Sequence, residues 1–222
     1  MNITWHGLSC IRIQESRQGG EVSLVTDPYA PESGKKLSRS FSADIVTVSA
    51  DLPRHAESAA VSGAGEGTTS FVITGPGEYE VKDMFVTGIP TYLDVDDGKE
   101  KGMNTMYRFN AGGLHLVHLG ALKHPLDEKY MEDFHDVDVL LVPVGGGDVL
   151  TAKQAAEVVN QIEPRIIIPM HYKHDGLGEE LDGVEAFVKA LGLARPEPVA
   201  KFKISSKELP QEEMKLVLLE LQ

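Results

Sequence analysis

Residues 151–172 read TAKQAAEVVNQIEPRIIIPMHY, a helix pattern followed directly by a strand pattern. Thr151 can cap a helix over 152–162, because a threonine hydroxyl accepts a hydrogen bond from the amides that the first helical turn leaves free. The apolar run 165–170 is short and rich in isoleucine, which is typical of a buried strand.

The segments on either side extend this pattern in two ways. The second half alternates, with a predicted helix near 127–134, a strand at 137–144 and another helix at 184–191. The first half consists of short runs of Val, Ile, Thr and Phe separated by Gly, Pro, Asp and Ser, which is typical of strands and turns. Strand hairpins followed by alternating strands and helices favour a layered α/β domain with mixed sheets. The remaining predicted strands are 3–5, 11–13, 22–27, 45–49, 71–74, 78–81, 84–89, 106–110, 114–118, 201–204 and 215–221.

The composition fits one globular domain. With 222 residues, 41% hydrophobic and 25% charged, the chain can bury one substantial core, and we predict a single domain over residues 1–222. Its longest apolar runs are far short of a membrane span, and its first residues lack the basic and apolar regions of an export signal. Cys10 is the only cysteine, which excludes an intramolecular disulfide and a cysteine zinc site. We therefore expect a cytoplasmic protein without a membrane partner.

The charge of the chain argues against one class of partner. The formal net charge is −13, which opposes the phosphate backbone of nucleic acids. No cluster of lysine and arginine offsets this charge locally. Nucleic acid is therefore not an expected partner.

Ten segments, in a fixed order along the chain, carry a resemblance to a known family. They are ITWHGLSCIRI, VTDPY, ADIVTVSADLPRHAES, TGPGEYEV, GIPTYLD, NTMYRF, HLVHLGALKHPL, VDVLLVPVGGG, EVVNQIEPRIIIPMHYK and LDGVEAFVKALG. Together they closely resemble the metallo-β-lactamase superfamily, in the branch of bacterial zinc-dependent hydrolases related to ascorbate-phosphate lactonases. The resemblance covers nearly the whole chain. It implies a four-layer αββα sandwich, in which two mixed β-sheets face each other, helices flank them and a metal cleft lies at one edge.

The main metal motif of this family, Thr/Ser-His-x-His-x-Asp-His after a strand, falls on IVTVSADLPRHAES at 45–58. Ala50 stands at the first His of the motif, Leu52 at the second and Arg54 at the Asp, while His55 matches the last His. Alanine and leucine have no lone pair to donate to a metal ion. Arginine is a permanent cation and would repel one.

The other ligand positions of the family are changed in the same way. Ala121 stands where the resemblance implies a bridging Asp, Leu93 where it implies a His, and Leu8 where the family often has a His between Gly and Ser. The last family His persists as His171 in PMHY, so only it and His55 remain. Because catalytic zinc normally takes three protein ligands, we predict that the metal centre has been lost and that no metal or other cofactor is bound.

We predict that Arg54 occupies the former metal region, where Asp51 or Glu78 balances its charge or where it holds a small anionic ligand. We also expect Asp51 to cap a helix that has Pro53 in its first turn and continues through 59–61. No catalytic residue is assigned. The predicted cleft residues are Asp51, Arg54, His55, Glu78, His124, His171 and Tyr172.

Three functional classes stay open. The leading hypothesis is a non-hydrolytic binding or structural protein. The alternative is a hydrolase of an ester, lactone or phosphoester with a rebuilt mononuclear zinc site, formed by His55, His171 and a newcomer such as Asp51, His118 or His124. The third is an assembly subunit that pairs with an intact paralogue. Separately, a homo-oligomer stays open as the assembly state.

Overall fold

The computed structural model describes residues 1–33, 36–38, 41–96, 99–175 and 181–222, and the secondary structure below refers to these residues. Two α-helices, α1 (Ala152–Ile162) and α2 (Val184–Leu191), accompany four 3-10 helices at Pro31–Ser33, Ser58–Ala60, Glu128–Phe134 and Ser206–Glu208. The strands are β1 (Asn2–Trp5), β2 (Ile11–Arg17), β3 (Gly20–Thr26), β4 (Ser42–Ala43), β5 (Ile45–Thr47), β6 (Ser62–Gly63), β7 (Phe71–Ile73), β8 (Gly77–Val81), β9 (Met84–Asp96), β10 (Lys99–Ala111), β11 (Leu114–His118), β12 (Val139–Pro143), β13 (Ile166–Met170), β14 (Phe202–Lys203) and β15 (Lys215–Leu216).

The strands form two large mixed sheets. The six-stranded sheet has the order β14-β1-β2-β3-β5-β7, and the seven-stranded sheet has the order β15-β13-β12-β11-β10-β9-β8. Each sheet combines antiparallel hairpins with parallel pairs, such as β3 with β5 and β12 with β13. The short strands β4 and β6 pair separately. These two mixed sheets confirm the predicted α/β class.

Helix α1 connects the parallel strands β12 and β13, and its start confirms the predicted cap. Thr151 accepts a hydrogen bond from the backbone N–H of Gln154, and the Gln154 side chain in turn accepts from the backbone N–H of Thr151. This reciprocal pair satisfies two amides that the helix itself cannot satisfy. Helix α2 packs against α1, so both α-helices lie on the side of the seven-stranded sheet.

The six-stranded sheet is covered on both faces. Leu24 and Ile45 point into the main core, whereas their neighbours Val25 and Val46 point into a second, smaller cluster. Adjacent strand residues face opposite sides of a sheet, so the second cluster lies on the outer face. Among the described residues, loops, 3-10 turns and the β4–β6 pair cover this face, and the helical layer expected there is reduced to short 3-10 turns.

The predicted helix after strand β5 is wrong. Residues 50–57 form turns, and only Ser58–Ala60 makes a 3-10 helix. The backbone of this segment bonds across to the loop after β3: Ala30 donates to the carbonyl of Pro53, and Glu57 donates to the carbonyl of Pro28. These cross-links to a distant loop replace the bonds that would have continued a helix.

Other differences concern the ends and types of elements. The predicted helix at 127–134 is a 3-10 helix, and the hairpin strands β9 and β10 are 13 residues each, much longer than predicted. Strand β15 ends at Leu216, after which Leu219 and Leu221 form single bridges elsewhere. In the described ranges, no helix is long and apolar enough to cross a membrane.

Candidate functional site

The candidate site lies where several strands end. Asp27 follows β3, Ser49 and His55 follow β5, and His171 follows β13. The carboxyl ends of strands are where open α/β sheets usually bind ligands, because the loops there converge. Asp148, in the loop after β12, completes this group of side chains.

Asp27 is the centre of a buried hydrogen-bonded cluster. Its Oδ2 lies 2.7 Å from Nδ1 of His55 and accepts a 2.6 Å hydrogen bond from Oγ of Ser49, and its Oδ1 accepts a 2.7 Å bond from the backbone N–H of Ser49. All three residues are buried. Burial raises the pKa of Asp27, but the His55 charge and hydrogen bond, the His118 charge and the Ser49 hydrogen bond together hold this pKa below its ordinary value. Because an ionised carboxylate only accepts hydrogen bonds, Nδ1 of His55 is the donor in this contact, and Nε2 lies on the opposite side of the ring.

His171 lies beside His55 and is held from two sides. Its Nδ1 is 2.8 Å from Oγ of Ser9, and its backbone N–H donates to the carbonyl of Leu8. The rings of His55 and His171 stack with centroids 5.3 Å apart and an interplanar angle of 13°. Burial lowers the pKa of His171 to about 4, so the ring is neutral near pH 7.

The backbone of this region is strained and closely packed. Leu8, Asp27 and His171 have φ angles of 46°, 39° and 52°, the left-handed region that non-glycine residues rarely adopt. Gly145 passes so close to the backbone carbonyl of His171 that an added Cβ would lie 2.2 Å from this oxygen. Such strain persists only where the surrounding structure enforces it, and it is typical of functional sites.

Arg54 reaches into this region and pairs with Asp148. Its Nη1 lies 2.6 Å from Oδ2 of Asp148, and the two side chains are 19% and 38% exposed. The other oxygen of Asp148, Oδ1, is 3.5 Å from Nε2 of His171, which is long for a hydrogen bond. Burial raises the pKa of Asp148, but the neighbouring His171 and Arg54 outweigh it and lower this pKa to about 2. A guanidinium and a carboxylate therefore stand next to the buried imidazole.

The prediction that Asp51 or Glu78 balances the charge of Arg54 is wrong. Asp51 and Glu78 are exposed, and within the described part of the chain neither forms a hydrogen bond or ion pair with Arg54. Asp148 is the carboxylate that pairs with Arg54, and it was not among the residues predicted from the sequence. Its position just after the buried strand β12, where the carboxyl ends of strands meet, is the signal that could have found it.

The other predicted cleft residues lie elsewhere or are engaged. His124 contacts the carbonyls of Pro125 and Tyr92 at 2.8 and 3.1 Å. The ring of Tyr172 packs against Trp5 with centroids 4.7 Å apart, inside the core, and burial raises its pKa to about 12. Of the predicted set, the structure brings together Arg54, His55 and His171.

The proposed newcomers for a mononuclear zinc site are not placed to serve as ligands. His118 is saturated, because its Nε2 lies 3.0 Å from the carbonyl of Ser9 and its Nδ1 accepts a 3.2 Å bond from the N–H of Gly120. Asp51 is exposed, and both ring nitrogens of His124 are engaged as described.

Three buried polar atoms at the site lack a hydrogen-bond partner among the described residues: Nε2 of His55, Nε2 of His171 and Oδ1 of Asp148. They nevertheless do not form a metal centre, since no three His, Cys, Asp or Glu side chains in the described ranges converge closely enough to hold an ion. The guanidinium of Arg54 next to Asp148 adds a fixed positive charge. The described residues therefore do not fit the zinc centre that the family implies.

Comparison with known proteins places this chain in a family. The sequence model of the family described as the beta-lactamase superfamily domain matches residues 2–171. A Pyrococcus abyssi protein named as a UPF0173 metal-dependent hydrolase is 32% identical over 98 residues, which is 43% of this chain. That alignment spans 44% of the length of the Pyrococcus protein, so the chain matches under half of this curated relative.

Solved structures match over more of the chain. One is a Thermotoga maritima protein described as a candidate zinc-dependent hydrolase of the metallo-β-lactamase superfamily; it is 33% identical, with a TM-score of 0.77 and coverage of 100% of this chain and 99% of that one. Another, a metallo hydrolase from Ignicoccus hospitalis, is 17% identical with a TM-score of 0.64 over 92% of this chain and 99% of its own, which supports the fold alone. The chain therefore belongs to the metallo-β-lactamase superfamily.

Proposed function

We propose that this chain is a non-hydrolytic binding or structural member of the metallo-β-lactamase superfamily. The observation that carries the proposal is the 2.6 Å contact between Nη1 of Arg54 and Oδ2 of Asp148, next to the buried ring of His171. Arg54 stands at the motif position where the resemblance implies a carboxylate ligand. A fixed cation there replaces an electron-pair donor with a group that repels metal ions.

The loss of donors at the other positions supports the same function. Ala50 and Ala121 are buried, and Leu52 and Leu93 are partly buried, so hydrocarbon fills four family ligand positions. A metallohydrolase uses its ion to generate hydroxide at neutral pH and to stabilise the charge that develops during attack. The side chains described at this site offer no equivalent source of hydroxide.

The charge of Arg54 is paired within the site. The carboxylate of Asp148 supplies the anion that we predicted for Arg54, so an external anionic ligand would have to share the guanidinium with Asp148 or displace it. The Asp27–His55 pair and the neutral ring of His171 hold the interior of the site in place. Such an arrangement suits binding or structural support better than activation of water.

The metal content of the purified protein tests this proposal. Protein prepared without chelator or histidine tag should contain less than about 0.2 zinc, manganese or iron per chain by elemental analysis, whereas a mononuclear enzyme needs about one. A variant with family ligands restored, A50H/L52H/R54D/L93H/A121D, serves as the positive control once circular dichroism shows that it is folded. About one metal ion per wild-type chain would contradict the proposal.

A second function, metal-dependent hydrolysis of an ester, lactone or phosphoester, is favoured by two observations. The Nε2 atoms of His55 and His171 are buried and have no partner among the described residues, and the Pyrococcus relative is named a metal-dependent hydrolase. Hydrolysis of nitrophenyl esters, a simple lactone and a nitrophenyl phosphodiester by zinc-treated protein tests this function. Zinc-dependent turnover that disappears in both H55A and H171A would establish it, and turnover that persists in these variants would point to a contaminant.

A further inference from the structure

We propose that Arg54 is a built-in substitute for a metal ion, an inference that rests on the proposed function. Its guanidinium neutralises Asp148 beside His171. It thereby keeps divalent cations away from the rings of His55 and His171, which are still held in the way that metal ligands are held. Asp148 is the anchor of this substitute cation. A single substitution at position 54 should therefore restore cation binding.

The two imidazoles are held as metal ligands usually are. In metal sites, the ring nitrogen that does not contact the ion bonds to a carboxylate, a carbonyl or another polar group, which fixes the ring. Here Nδ1 of His55 is held by Asp27 at 2.7 Å, and Nδ1 of His171 is held by Ser9 at 2.8 Å. The Nε2 atom of each ring is buried and has no hydrogen-bond partner within the described residues.

Each of these Nε2 atoms could bind a cation or accept a hydrogen bond, but neither has a partner among the described residues. Buried polar atoms without partners are rare because they lose their hydration and gain no bond in return. Oδ1 of Asp148 is a third such atom, 3.5 Å from Nε2 of His171. All three are atoms of the kind that bind zinc, although with Asp148 bonded to Arg54 they do not converge closely enough to hold an ion among the described residues.

The guanidinium is the group that opposes an ion at this place. Oδ2 of Asp148 accepts a charge-assisted bond from Arg54, so the carboxylate is already neutralised by a cation. Arginine is a permanent cation. An incoming divalent ion would meet this charge and would compete with Arg54 for Asp148.

Replacement of Arg54 by Asp tests the inference. R54D removes the cation and supplies a carboxylate at the motif position where the family has one. R54K keeps the positive charge, and R195D makes the same change in net charge at an exposed arginine paired with Glu185. Zinc binding is measured by isothermal titration calorimetry, and the ligand environment by the visible absorption of added Co(II).

R54D should bind about one zinc per chain, at least about tenfold more tightly than wild type, R54K or R195D. The double variants R54D/H55A and R54D/H171A should lose this gain, which assigns the two imidazoles as ligands. Equal zinc affinity of R54D and R54K would overturn the inference and leave the proposed function standing. Stoichiometric zinc in the wild type would overturn both.

A second variant keeps the inference testable if R54D does not fold. R54Q removes the charge with a side chain that can still accept and donate hydrogen bonds. Removal of the built-in cation should lower the melting temperature of R54Q, and zinc should raise it again, whereas the melting temperature of R54K should not respond to zinc. No zinc-dependent rise in R54Q would contradict the substitute-cation role.

Discussion

Nδ1 of His55 lies 2.7 Å from Oδ2 of Asp27, and both side chains are fully buried. Asp27 is also held by the backbone and hydroxyl of Ser49, so one carboxylate joins the ends of β3 and β5. This pair positions the first of the two imidazoles around which the candidate site is built. The stability of the site should therefore depend on Asp27.

Replacement of Asp27 by Asn should destabilise the protein strongly. The substitution keeps the shape but replaces a carboxylate that accepts hydrogen bonds from both His55 and Ser49, and each lost hydrogen bond to a charged group costs about 1.5–3 kcal/mol. Urea denaturation followed by circular dichroism measures the free energy of unfolding. S49A, which removes a single hydroxyl bond to the same carboxylate, should cost about half as much as D27N. Similar losses in both variants would show that the Asp27–His55 pair contributes little.

His171 should make the protein less stable in mild acid. Burial lowers its pKa from 6.5 to about 4, so the unfolded chain binds a proton in this range more readily than the folded one. Stability should therefore fall as the pH falls from 6.5 to about 4, by an amount on the order of 3 kcal/mol, and should be fully present above this window.

The variant H171N isolates this effect. Asparagine tolerates the left-handed backbone that His171 adopts and does not titrate. The free energy of unfolding of wild type should drop more steeply than that of H171N between pH 6.5 and 4. Parallel curves for the two proteins would contradict the buried neutral state of His171.

Gly145 should not tolerate a side chain. An added Cβ would lie 2.2 Å from the carbonyl oxygen of His171, so either the loop or the histidine must move. G145A should lose about 1–3 kcal/mol, the usual cost of overpacking. G75A is the matched control, because a Cβ at Gly75 meets nothing within 4 Å and its backbone is not in the left-handed region. Equal stability of G145A and G75A would mean that the loop shifts freely.

The elements that could be predicted from sequence are those whose signals are local. Helix α1 follows from the Thr151 cap and its apolar spacing, and helix α2 was predicted with the bounds that the structure has. The turns at 50–57 could not be predicted, because Pro28 and Ala30, more than 20 positions away, satisfy the backbone there. Long-range bonds of this kind leave no periodic pattern in the sequence.

The residues of the site also fall into those that could be predicted from the sequence and those that could not. Arg54, His55 and His171 were identified because each occupies a recognisable motif position. Asp27 and Asp148 were missed: the sequence marks them only as acidic residues that follow predicted strands, and it does not show which of the 34 acidic residues reach the two imidazoles. Their roles arise from the sheets, which bring the ends of β3, β5 and β13 together with the loop after β12.

A guanidinium takes the place of the metal ion in the arrangement that we propose. Crystals soaked in zinc and measured with anomalous diffraction at the zinc edge test this claim. We expect Arg54 bonded to Asp148 and no anomalous peak between the rings of His55 and His171. A full-occupancy zinc ion on both Nε2 atoms, with Arg54 displaced, would contradict the claim.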